Sequence, residues 1–318
     1  MGIKPGLSGM KAFVAQLLRV LTVGYMLMYF SEHLFWAQMR PDDSLANWIS
    51  TWLAYSLAAF VFLTLLSVFR VTSKWALFLA AAVFGWLVEG VIVQTTYEQL
   101  PLSISFTGLA WHALISVMLG WYAIPKILLK NSAFATLRVA GLAGLGYGLW
   151  AIYWWIEEGQ ASSIVEFATF SFASTSVLIF AYWLNNLVSK QLFAPSLLVI
   201  GLNSLAFLLF FVFVTVPAAP VALLLLPVLL ALAVWGLWKT RLAPGQPLLE
   251  SLTGTIYCWN YLLLLLLPLI AVAVYSLAWT LNLRLNTNWV LYLITTPLGF
   301  GLFGYSLYKA WRAKTTPS

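Results

Sequence analysis

Ten stretches of predominantly apolar sequence, each of 20 or more residues, limit what this chain can become. They run over 12–36, 47–69, 75–97, 104–125, 134–156, 164–187, 193–216, 218–238, 253–279 and 288–311. Crossing the hydrocarbon core of a bilayer takes about 20 residues of helix. The pattern therefore predicts an all-α fold, a bundle of ten transmembrane helices. A soluble domain carries about a quarter charged residues. Here 8% are charged and 63% hydrophobic, with a mean hydropathy of +0.94. Such a chain cannot cover its surface with polar groups, so the membrane must be its solvent. The connections are too short to hold a soluble domain, and residues 1–318 read as a single membrane domain. The first run is too long for a signal-peptide core and reads as a retained helix. The single cysteine, Cys258, excludes an internal disulfide and a thiolate metal cluster.

The net charge of +7 comes from basic residues scattered singly between the apolar runs, a pattern of membrane topology and not of nucleic-acid binding. With the N-terminus inside, only Arg40 and Arg284 of the 16 Lys and Arg residues fall outside. This bias predicts a multi-pass integral membrane protein with both termini cytoplasmic. The acids lie the other way. Glu32, Asp42, Asp43, Glu98, Glu157, Glu158 and Glu166 map to the outer ends or loops, Glu89 falls in mid-span, and Glu250 is inside. Acidic residues barely affect insertion, so their asymmetry invites a functional reading beside the plain one of solvated loop acids. Residues 12–187 form a polar half with the candidate site, and 193–311 an apolar packing half.

Within the polar half, spans three and four form a hairpin that turns at "EQLPLSIS". Glu89 lies twelve residues before Pro101 and His112 eleven after it. At 1.5 Å rise per residue both reach roughly 12 Å below the outer surface, where they can face each other. An ionisable residue in a bilayer usually faces the bundle interior and has a partner, and a Glu–His pair titrates as a unit near neutral pH. Ser105, Gly108, His112 and Ser116 recur along one stripe of span four, and Gly85, Glu89 and Thr96 share a face of span three. On span one, Tyr25, Tyr29, Glu32 and Trp36 form a third stripe with His33 beside it. The candidate catalytic residues are Glu89, His112, Glu32 and His33. Glu98, Glu166, Arg284, Trp86 and Tyr29 are candidates for substrate binding. The plain alternative is that Glu89 and His112 only tie the hairpin together.

Other features carry less. Gly144 and Gly148 have GxxxG spacing, usually a packing face; "TTPLGFGLFG" reads as a kink or close packing, and Asn260 as interhelical glue. There is no HExxH, Walker A or GxSxG motif. Two histidines with glutamates fall short of the usual three strong metal ligands, so no metal is assigned and the cofactor is left open. Residues 84–126, from "FGWLVEG" to "GWYAIPK", resemble the membrane half of apolipoprotein N-acyltransferases. That family's catalytic residues belong to a hydrolase-like domain without a counterpart in these residues, so the resemblance assigns no role here.

The leading expectation is a membrane-embedded enzyme performing general acid/base chemistry on a lipid or isoprenoid, at a cleft facing the extracytoplasmic side among spans one, three, four and six. Two alternatives stand beside it. One is a small proton-coupled secondary transporter. The other is a non-catalytic subunit or assembly factor of a larger membrane complex. The expected partners are membrane lipids, a lipid or isoprenoid substrate and a possible membrane-protein partner, with no nucleic acid.

Overall fold

A computed structural model describes residues 5–40, 43–157 and 162–313. Among the described residues ten helices are long and apolar enough to cross a membrane: α1 (Gly9–Trp36), α2 (Leu45–Val68), α3 (Lys74–Ile92), α4 (Ser103–Leu128), α5 (Ala133–Glu157), α6 (Ile164–Val188), α7 (Leu197–Ala218), α8 (Ala222–Thr240), α9 (Cys258–Thr280) and α10 (Thr287–Trp311). No strand occurs among the described residues. Pro41, Asp42, Glu158 and Gln160 lie outside the described residues, as do Lys4 and Lys314 at the ends.

Local chemistry marks the boundaries. Five helices begin on a serine whose hydroxyl accepts the backbone N–H three residues on: Ser44, Ser73, Ser132, Ser163 and Ser196. Each satisfies one of the donors that a helix start leaves unpaired. The expected break between spans seven and eight is present at Ala219, whose backbone leaves the helical region. One boundary differs from the expectation. The third apolar run continues to residue 97, yet α3 stops at Ile92, because Gln94 takes a left-handed conformation (φ 67°). Glu89 therefore stands in the last turn of α3 and not in mid-span.

Helix α3 is the hub. The most apolar window of α3 is 89% buried, against 6% for α7. It contacts α2 and α4 from its own half of the chain, and α8 and α10 from the other. The apolar half is thus wrapped around the polar half and is not a separate layer. Glycines set the closest approaches. A Cβ at Gly85 of α3 would meet the backbone carbonyl of Gly108 on α4, and one at Gly299 of α10 would meet Ser105. In α5, a Cβ at Gly144 would collide with the Leu267 carbonyl and one at Gly148 would come within 2.7 Å of the Ala271 carbonyl, which makes the GxxxG face the α5–α9 seam. Asn260 joins three helices, donating to Leu128 O (2.8 Å) and accepting from Thr136 Oγ1 (2.7 Å).

Four stretches widen to i→i+5 hydrogen bonding: Tyr29–His33 in α1, Val88–Ile92 in α3, Phe106–Ala123 in α4 and Phe211–Thr215 in α7. Such π-turns are rare and recur at functional sites. Three of the four carry Ser31, Glu32 and His33, Glu89, and His112.

Candidate functional site

The turn holding Glu89 is fixed by side chains that take up its carbonyls. Helix ends leave carbonyls without intrahelical partners. Here the Gln94 amide donates to Val91 O (2.7 Å) and Ile92 O (2.8 Å), and Thr215 of α7 donates to Val91 O (2.8 Å). The Tyr97 hydroxyl, in the α3–α4 loop, donates to Gly90 O (2.7 Å), and burial pushes its pKa up to about 12, so it remains a donor. The turn of α1 is held by aromatic donors: Trp111 Nε1 to Phe30 O (2.9 Å), Tyr147 to His33 O (3.4 Å) and Trp154 Nε1 to Phe35 O (2.8 Å).

Between these turns runs one buried polar chain. Glu89 Oε1 bonds to His112 Nε2, and Thr95 donates to Glu89 Oε2. On its other side, His112 Nδ1 meets the Ser31 hydroxyl at 2.7 Å, and Ser31 meets Ser116 at 2.7 Å. Glu32, the next residue, accepts from Tyr55 of α2 (2.7 Å) and from Trp36 Nε1 (3.1 Å). Tyr55 also interacts with Ser31, which links the two carboxylates through hydroxyls and one imidazole. An imidazole with a carboxylate on one nitrogen and a hydroxyl on the other is equipped to pass a proton between them. The hairpin geometry brings Glu89 and His112 together as their depths require.

His33 is separate from this chain. It is 3% exposed, stacks on Trp48 of α2 (4.1 Å, 16°), and has Phe170 of α6 edge-on at 5.6 Å. Neither of its ring nitrogens has a hydrogen-bond partner, nor does Trp48 Nε1. Both residues line a cleft of about 880 Å³ between α1, α2 and α6, walled also by Tyr25, Met28, Trp52 and Phe170. The cleft lies where α1 ends and α2 and α6 begin, at the end of the bundle that carries Glu98 and Glu157. It differs from the cleft expected among spans one, three, four and six: α2 replaces α3 and α4 as a wall, and the lining is mainly apolar. A second, far smaller cavity is bounded by Glu32, Arg40, Asp43 and Trp48.

The remaining candidates lie apart. Trp86 is wholly buried and donates to Ile104 O (3.0 Å), so its polar atom is used in joining α3 to α4. Tyr29 bonds Thr175 (2.7 Å) inside the bundle. Glu98 is exposed in the α3–α4 loop, and Arg284 is exposed between α9 and α10. Glu166 stands at the cleft rim but is engaged in a capping box, accepting from Ser163 N at 2.7 Å. Arg40 pairs with Asp43 (3.2 Å) and lies over Trp36. Among the described residues no group of three or more His, Cys, Asp or Glu could hold a metal ion.

The residues that sequence reading missed are Ser31, Tyr55, Thr95 and Trp48, whereas Ser116 lay on the stripe expected beside His112. Ser31 had a signal, since it adjoins Glu32 and His33, and so did Thr95, six residues after Glu89. Tyr55 and Trp48 belong to a span with no Asp, Glu, His, Lys or Arg to draw attention to it.

No family model, curated protein or solved structure matches this chain. Its function must be argued from the site.

Proposed function

We propose a membrane-embedded enzyme that performs general acid/base chemistry on a lipid or isoprenoid, with both termini cytoplasmic and the cleft toward the opposite face. One observation carries the reading. His112 holds the Glu89 carboxylate on one nitrogen and the Ser31 hydroxyl on the other, and Ser31 lies two residues from His33 and three from Met28, both of which line the cleft. A carboxylate-oriented imidazole bonded to a hydroxyl is the arrangement that activates hydroxyls in unrelated enzymes. His112 takes the Ser31 proton at Nδ1 as Ser31 takes one from the substrate, Glu89 stabilises the resulting imidazolium, and the return step runs both transfers in reverse. Thr95 holds the carboxylate in place. Such proton transfer serves isomerisation, cyclisation or hydrolysis without a soluble cofactor.

A proton-coupled carrier is the second reading. It is favoured by one fact: neither Glu89 nor His112 lines either cavity, and a coupling relay needs no substrate contact.

Vesicles of extracted membrane lipid holding the protein, with lipids followed by mass spectrometry and internal pH by a dye, separate the two. The enzyme converts a lipid species, and Glu89→Gln and Ser31→Ala slow that conversion by about 100-fold or more. The carrier moves protons with its lipids unchanged and loses the flux in Glu89→Gln. Wild-type protein that does neither would sink both readings. Orientation is checked by reporter fusions: one after Lys190 reads cytoplasmic and one between α1 and α2 reads outside, and the reverse pattern would overturn the assignment.

A further inference from the structure

We infer that the cleft between α1, α2 and α6 binds one long-chain lipid whose head is uncharged and carries a hydroxyl, as in a fatty or isoprenoid alcohol. Three observations converge on this chemistry.

The first is the set of unpartnered atoms. Buried polar groups in folded proteins are almost always hydrogen-bonded, and each exception asks for an explanation. Here both nitrogens of His33 and Nε1 of Trp48 lack partners side by side in one stack on the cleft wall. A neutral imidazole offers one donor and one acceptor, and an indole one donor. A hydroxyl is the smallest head that answers the indole and one ring nitrogen together, accepting from the Trp48 N–H and donating to the bare nitrogen of His33. A carbonyl would leave the imidazole acceptor unmet. The stack covers these nitrogens, so an occupant reaches them as Trp48, only half-buried, turns off His33.

The second is charge. Among the described residues no lysine or arginine lines the cleft, and its one carboxylate, Glu166, is held by its own helix start. A phosphate or carboxylate head would enter without a counter-charge and face Glu166. Arg40, in the neighbouring small cavity, is already committed to Asp43.

The third is the way out for a tail. Leu45, Ile49, Val165 and Val177 line the cleft and are exposed on the flank of the bundle. They continue the apolar wall from Met28 and Phe170 to the outside. The volume of about 880 Å³ suits one ligand and not several.

The inference rests on the reading above in taking the occupant for a substrate; binding itself is tested separately. The full chain in phosphatidylcholine nanodiscs is titrated with octadecanol, octadecanoate, octadecyl phosphate and octadecyltrimethylammonium, with bound probe counted by native mass spectrometry. The expected result is one octadecanol per chain, bound at least about tenfold tighter than any charged probe. His33→Phe keeps the stacked ring and removes both nitrogens, and should weaken octadecanol about tenfold, the scale of a lost hydrogen bond. Should His33→Phe fail to fold, Trp48→Phe removes only the indole N–H and should weaken binding in the same direction. Glu89→Gln should leave binding unchanged. A charged probe that binds as tightly, or folded His33 and Trp48 variants that bind octadecanol like the wild type, would overturn the site. Selective binding without lipid conversion would count against the enzyme reading alone, and lipid conversion without selective binding against this site alone.

Discussion

The molecule buries two histidines at nearly the same exposure, 1% for His112 and 3% for His33, and treats them in opposite ways. His112 has a partner on each nitrogen, drawn from two other helices, and its bonds lock α1, α3 and α4 to one another. His33 has none, and the rings of Trp48 and Phe170 pack against it. A satisfied buried network rigidifies the elements that supply it, whereas an unsatisfied group carries a desolvation cost with nothing returned. The difference teaches where the chain is complete in itself and where it is not. Around His112 the interior is closed; around His33 it ends at a cleft.

Removing a partner from each histidine sharpens that contrast, and the largest effect belongs to the closed region. Glu89→Leu leaves His112 Nε2 facing a side chain that cannot bond it, in a seam with no slack. Losing one member of a buried pair costs about 3–5 kcal/mol, and thermal unfolding in detergent should show a correspondingly lower midpoint. A midpoint within a degree or two of wild type would show that the chain around His112 is not closed. Next comes the seam itself. Gly85→Ala places a methyl against the Gly108 carbonyl and should cost about 1–3 kcal/mol, the usual range for overpacking. Gly146→Ala, with nothing within 4 Å of the added carbon, is its control. It should be neutral or gain up to about 1 kcal/mol from helix propensity. Equal losses for the two would remove the α3–α4 contact from the argument. The smallest effect is expected at His33. His33→Leu deletes two nitrogens that bond nothing, so ligand-free protein should unfold at the same temperature or a little higher. A loss as large as that of Glu89→Leu would erase the distinction between the two histidines.

Much of the fold was legible because hydropathy counts residues well. Ten runs long enough to span gave ten helices, and the turn at Pro101 gave Glu89 and His112 comparable depths. What escaped has a common physical origin. A shift from i→i+4 to i→i+5 bonding leaves no mark on an apolar pattern, so the turns that aim Ser31, Glu89 and His112 could not be read. The end of α3 at Ile92 depends on the left-handed backbone of Gln94, inside the expected span 75–97, which helix-length counting carried on through the polar residues 94–96. A lone serine in a membrane span is compatible with mere packing, and only the meeting of three helices gives Ser31 its role beside His112. The cleft was expected where the ionisable residues cluster. It formed instead against α2, whose aromatic side chains make a wall without any titratable group to announce it.

The central position of α3 has a consequence for how the protein is made. Two of the helices that enclose it, α8 and α10, are synthesised long after it, at the far end of the chain. The ribosome must therefore deliver α3 into the bilayer with much of its eventual interior facing lipid. Its carboxylate need not wait so long, since His112 follows only 23 residues later in the adjoining helix. The two groups can quench each other as soon as that hairpin inserts. The hub then enters assembly as an electrically quiet unit, and the last helix to emerge has shape and one hydrogen bond, from Ser105 to its Thr296 carbonyl, left to match.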